Sequence, residues 1–195
     1  EWDKQANGAS FDFNWPAAQA TLSVTQTGSG KPWVTVQSRA AIPLKEPLSS
    51  GYRIVRTVTP VQAKVPGELT RGDTLRVRLE IEAQADMTWV VVDDPVPGGA
   101  AILGSGLARD SQILSAGEVK RGFVRPAFEE RSFDAFHAYY SFVPKGSWVV
   151  EYSVRLNNAG RFELPPTRVE AMYAPEMFGE LPNGAVTVNP QKARD

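Results

Sequence analysis

The stretch "LRVRLEIEA", residues 75–83, decides the fold class. Leu75, Val77, Leu79, Ile81 and Ala83 alternate with Arg76, Arg78, Glu80 and Glu82. Successive side chains of a strand point to opposite faces, so the pattern puts five apolar groups on a buried face and four charges in water. The same reading extends outward. Trp148, Val150, Tyr152, Val154 and Leu156 share one face, opposite Val149, Glu151, Ser153 and Arg155. Leu22 with Val24, and Val34 with Val36, repeat the alternation on shorter runs. Trp89-Val90-Val91-Val92 is apolar throughout and predicts a strand covered on both sides.

Turn formers separate these runs: Gly28-Ser29-Gly30, Pro66-Gly67, Pro97-Gly98-Gly99, Lys145-Gly146 and Asn157-Asn158-Ala159-Gly160. Short strands punctuated in this way predict an all-β, antiparallel β-sandwich with at most one or two short helices. Residues 103–117 carry the weak helical pattern. The composition shift at "PLKEPLSSG", residues 43–51, reads as a linker, and the runs before it are too few to close a core alone. Residues 191–195 read as a frayed tail.

Among 195 residues, 42% are apolar and 22% charged, as in ordinary soluble globular proteins. A net charge of −1 speaks against nucleic acid or an anionic membrane as the main partner, since both reward a basic surface. The absence of cysteine excludes disulfides and thiolate chemistry within the chain. A start at Glu1, with no signal-like apolar segment after it, reads as a piece of something longer.

The inventory of reactive groups yields no catalytic constellation. The single histidine, His137, has no cysteine or second histidine with which to hold zinc, and reads as a strand-surface residue. Asp93-Asp94 and Glu129-Glu130 are adjacent carboxylates, which a strand sends to opposite faces. Asp93-Asp94-Pro95 reads as a strand end whose carboxylates bond the turn backbone. The expectation is therefore no catalytic residue, no metal and no cofactor. Two rival readings stand beside it: a carbohydrate-binding or adhesion module stacking sugars on Trp15, Trp33 or Tyr139, and a hydrolase built on Asp93 or Glu129.

Three segments carry a more specific signal. They are "GKPWVTVQSRAAIPL" (30–44), "GELTRGDTLRVRLEIEAQADMTWVVVDDPVPGGAAILGSGLARDS" (67–111) and "VEYSVRLNNAGRFELPPTRVEAMYAPEMFGE" (150–180). In this order they resemble the C-terminal end of bacterial α2-macroglobulins. The resemblance implies a non-enzymatic module of a periplasmic protease trap, whose parent is anchored to the inner membrane as a lipoprotein in many members. Residues 1–47 would be returning strands of a CUB-like domain, and 48–190 the last macroglobulin-like domain. Implied partners are an upstream thioester domain of the same parent, the trapped proteases, and a peptidoglycan-synthesising penicillin-binding protein. In thioester-bearing members a tyrosine preceded by methionine covers the thioester, and Met172-Tyr173 matches that pair. Alternation leaves a second reading open, because Tyr173 falls in phase with Val169 and Ala171 and would then close the end of the core.

Overall fold

The computed structural model describes residues 12–14, 21–31, 33–37, 39, 43–104 and 124–191. Two compact units divide the chain, Glu1–Ala41 and Ile42–Asp195. Among the described residues there is no helix. Twelve strands fall in the second unit. The first six are β1 (Leu48–Ser50), β2 (Tyr52–Gln62), β3 (Thr74–Ala83), β4 (Met87–Pro95), β5 (Ala101–Ile102) and β6 (Phe128–Arg131). The rest are β7 (Ala135–Val143), β8 (Gly146–Arg155), β9 (Gly160–Phe162), β10 (Thr167–Ala171), β11 (Ala174–Leu181) and β12 (Val186–Val188).

One sheet has six strands in the order β1-β11-β10-β4-β7-β6, and a second has four in the order β2-β3-β8-β5. A small pair, β12-β9, completes the unit. Every pairing between these strands is antiparallel. The alternation of β3 sends Leu75, Val77, Leu79, Ile81 and Ala83 inward, each no more than 4% exposed. Opposite them in register, β8 contributes Trp148, Val150, Tyr152 and Val154 to the same layer. From the six-stranded sheet come Val90, Val92, Phe136, Ala138, Tyr140 and Val169. Two sheets each apolar on one face have one stable solution, face-to-face packing. Burying each large side chain contributes roughly 1.5–3 kcal/mol.

Two glycines make this arrangement possible. Gly51 alone separates β1 in one sheet from β2 in the other, and its φ of 106° is a conformation that side chains disfavour. Gly179 in β11 passes so close to β2 that a Cβ there would meet the Tyr52 carbonyl oxygen at 2.6 Å. This close approach seats the β10–β11 hairpin on the sandwich.

The structure departs from the sequence expectations in several places. Residues 48–50 within the expected linker form β1, an edge strand paired with β11. The run 89–92 is fully covered on one face, where Val90 and Val92 are buried, and only partly on the other, where Val91 is half-buried and Trp89 is 52% exposed. In the first unit no described residue lies in a strand, and Leu22, Val24, Val34 and Val36 are 54–70% exposed. Alternation there finds no paired neighbour among the described residues, and a strand needs one to satisfy its backbone. The helical alternative at 103–117 lies outside the described residues beyond Gly104, as does the tail beyond Gln191.

Candidate functional site

Strand β4 carries a different chemistry at each end. Near its C-terminal end Asp94 is fully buried and faces the sandwich interior. Arg56 Nε of β2 donates to both carboxylate oxygens, at 2.9 and 3.2 Å. The hydroxyls of Tyr152 in β8 and Thr167 in β10 donate to the same carboxylate. Four strands, two from each sheet, thus converge on one charge. Burial acts to lower the Arg56 pKa, and the charges and hydrogen bonds of Asp94 and Tyr152 together outweigh it, so the net shift is upward. Burial, then the Asp94 charge, pushes the Tyr152 phenol well above its usual range. With both carboxylate oxygens engaged by three donors, Asp94 is a structural cross-link between the sheets. The expectation that the Asp94 carboxylate bonds a turn backbone is therefore corrected: its partners are side chains 38, 58 and 73 residues away.

The other sequence candidates lie apart from this cross-link. Asp93 points to the outer face, where His137 Nε2 lies 3.5 Å from its carboxylate. Burial raises the Asp93 carboxyl above its usual range; His137 opposes this, and Asp94, Asp134 and Glu170 add to it. Glu129 pairs with Arg131 at 3.2 Å, and Tyr139 donates to Glu130 at 3.2 Å. Among the described residues no three His, Asp or Glu side chains gather as a metal site. Trp33 is 99% exposed in the first unit, Tyr139 belongs to the second, and Trp15 lies outside the described residues.

At the opposite end of the sheet, β10 and β11 are joined by two residues, Met172 and Tyr173, with Ala171 facing Ala174 across the turn. Two-residue hairpin turns favour positive φ and so Gly, Asn or Asp. Neither Met172 nor Tyr173 has a positive φ, and the ladder shifts register at Glu170/Ala171 to admit the turn. Tyr173 is 80% exposed and Met172 50%. In-phase spacing with Val169 and Ala171 thus breaks at the turn, and the ring does not enter the core. The Met172 amide donates to the Trp89 carbonyl at 2.7 Å. Trp89 and Tyr173 meet edge to face, with centroids 6.3 Å apart and ring planes at 87°. Two aromatics and a thioether therefore sit in water at a turn whose local chemistry asks for polar residues.

Trp89 is the residue that sequence reasoning missed. It is the one non-glycine among the described residues with a positive φ, 54°. Its place in an apolar run concealed it.

The family model of the bacterial alpha-2-macroglobulin MG10 domain matches residues 34–176. An alpha-2-macroglobulin homolog of Nostoc sp. is 25% identical over an alignment of 177 residues that covers 84% of this chain and 9% of the relative. One from Yersinia pestis is 25% identical over an alignment of 186 residues that covers 86% of this chain and 9% of the relative. The chain thus spans about a tenth of the length of these relatives. The crystal structure of trypsin-activated alpha-2-macroglobulin from Escherichia coli matches with a TM-score of 0.64 at 24% identity, over 75% of this chain and 11% of that one. Salmonella alpha-2-macroglobulin reacted with methylamine matches with a TM-score of 0.60 at 24% identity, over 75% of this chain and 10% of that one. At this identity the two structures speak for the fold, a macroglobulin-type antiparallel sandwich. With the family model covering well over half its length, the chain belongs to the bacterial alpha-2-macroglobulin MG10 domain family.

Proposed function

We propose that this chain is the non-enzymatic C-terminal module of a periplasmic protease trap, and that Met172 and Tyr173 shield an upstream thioester in the parent. The observation that carries this reading is the Met172–Tyr173 turn, with an aromatic ring 80% exposed where a polar turn would serve the fold better. A soft thioether beside an amphipathic ring suits a dry contact that must later come apart. The fully engaged carboxylate of Asp94 supports the non-enzymatic reading. In this proposal residues 1–47 are returning strands of a CUB-like domain, and 48–190 the last macroglobulin-like domain. The parent is a lipoprotein of the inner membrane, its partners are the trapped proteases and a peptidoglycan-synthesising penicillin-binding protein, and it moves when its bait is cut.

Salmonella alpha-2-macroglobulin has been crystallised both as a tyrosine-to-glycine mutant and after reaction with methylamine. The same two manipulations test the shield here. In the full-length parent, Tyr173→Ala is expected to release the thioester thiol to methylamine faster than the unmodified protein. Tyr173→Phe keeps the apolar cover and deletes one hydroxyl hydrogen bond, so it falls between them. An unchanged rate in Tyr173→Ala, or a parent without Cys-x-x-Gln, overturns the shield.

A further inference from the structure

We infer that Trp89 is the positioning residue for Tyr173, and that its strained backbone exists to hold the aromatic pair at the sheet end; the inference rests on the shielding role proposed above. The premise is the mismatch between what Trp89 costs and what it gives the fold. Positive φ is expensive for a bulky residue, and such strain persists where the surrounding structure over-determines it. In β4 the register with β7 runs through Thr88 and Val90, and Trp89 has no β7 partner. Trp89 is 52% exposed, so burial offsets the strain only in part.

What Trp89 does contribute is aimed at one turn. Its carbonyl accepts the Met172 amide at 2.7 Å, which extends the β4–β10 ladder one step beyond Ala171. Its ring meets the Tyr173 ring edge to face. One residue thus fixes the backbone of Met172 and the ring of Tyr173 together. A shield must present its ring in one place, because an exposed tyrosine otherwise samples several rotamers and leaves water a path. The backbone bond and the ring contact remove that freedom before the partner domain arrives.

The test separates positioning from ordinary structure by driving stability and shielding in opposite directions. Trp89→Gly removes the ring and the strain together, since glycine accepts positive φ. The 195-residue chain carrying Trp89→Gly is expected to melt at or above the wild-type temperature. The parent with the same change is expected to react with methylamine roughly two- to tenfold faster, the size of one aromatic pair contact. Trp89→Phe restores a ring and is expected to recover most of the protection. If Trp89→Gly reacts at the wild-type rate while Tyr173→Ala reacts faster, the shield stands and the role of Trp89 is overturned. If neither rate changes, the shield has failed, and the Tyr173 side-chain rotamer populations of the 195-residue chain, read from three-bond couplings, decide on Trp89 alone. Populations that spread in Trp89→Gly sustain positioning, and populations that stay overturn it.

Discussion

The two ends of strand β4 sit in one sheet, yet they obey opposite rules. At one end Asp94 is a charge buried in the interior, held by Arg56, Tyr152 and Thr167. At the other, Trp89 joins Met172 and Tyr173 as large apolar groups in solvent. The first region breaks the rule that charges stay wet and compensates with a full set of donors. The second breaks the rule that aromatics go inside, and nothing within the unit compensates it. An inverted residue with its partners at hand belongs to the fold. An inverted residue without them points to a contact made elsewhere.

The sharpest way to break this contrast is to remove the buried charge. Asp94→Ala leaves Arg56, 13% exposed, without its counter-ion and takes the carboxylate acceptor from two buried hydroxyls. The expected loss is about 3–5 kcal/mol, read by urea unfolding. A loss below ~1 kcal/mol would mean that the cross-link is not what holds the two sheets in place at this end.

Removing the exposed ring should do far less. Tyr173→Ala in the 195-residue chain is expected to cost under ~1 kcal/mol, because Tyr173 is 80% exposed and meets Trp89 at its edge. A cost of about 3–5 kcal/mol, the scale of a buried aromatic, would return Tyr173 to the core and erase the difference between the two ends.

The smallest effect concerns Asp93, the outward neighbour of Asp94. Its folded pKa lies above its usual value of 3.8, chiefly through burial. The native state therefore holds a proton that the unfolded chain has already released, and stability falls as pH rises through that window. Asp93→Asn cannot titrate, so the fall should be absent from the variant, whose stability relative to wild type should rise with pH through that window. Its side chain is 48% exposed, which screens the effect to no more than ~0.5 kcal/mol. A variant that loses stability as pH rises, relative to wild type, would reverse the sign of the argument.

The legibility of these regions in the chain differs for a physical reason. Period-two alternation of 75–83 and 148–156 was enough to predict the inward face of two strands, and both are buried in the structure, side by side on one sheet. The turn at 172–173 was marked by residues that suit no turn. Asp94 was misread because adjacent sequence offers it only a proline and another carboxylate. The strand run 89–92 was misread on one face because apolarity does not say which side has a cover.

What the sequence by itself determined is whatever the backbone imposes locally: the strand periodicity, the turn positions, and the exclusion of thiol chemistry by the absence of cysteine. Only the tertiary structure decided which distant groups meet. Arg56, Tyr152 and Thr167 reach Asp94 because β2, β8, β10 and β4 come together across two sheets. Trp89, at positive φ, offers its carbonyl to the amide of a turn more than 80 residues later. Strand periodicity is a property of neighbouring residues, whereas partnership and strain are set by packing, which neighbouring residues do not encode.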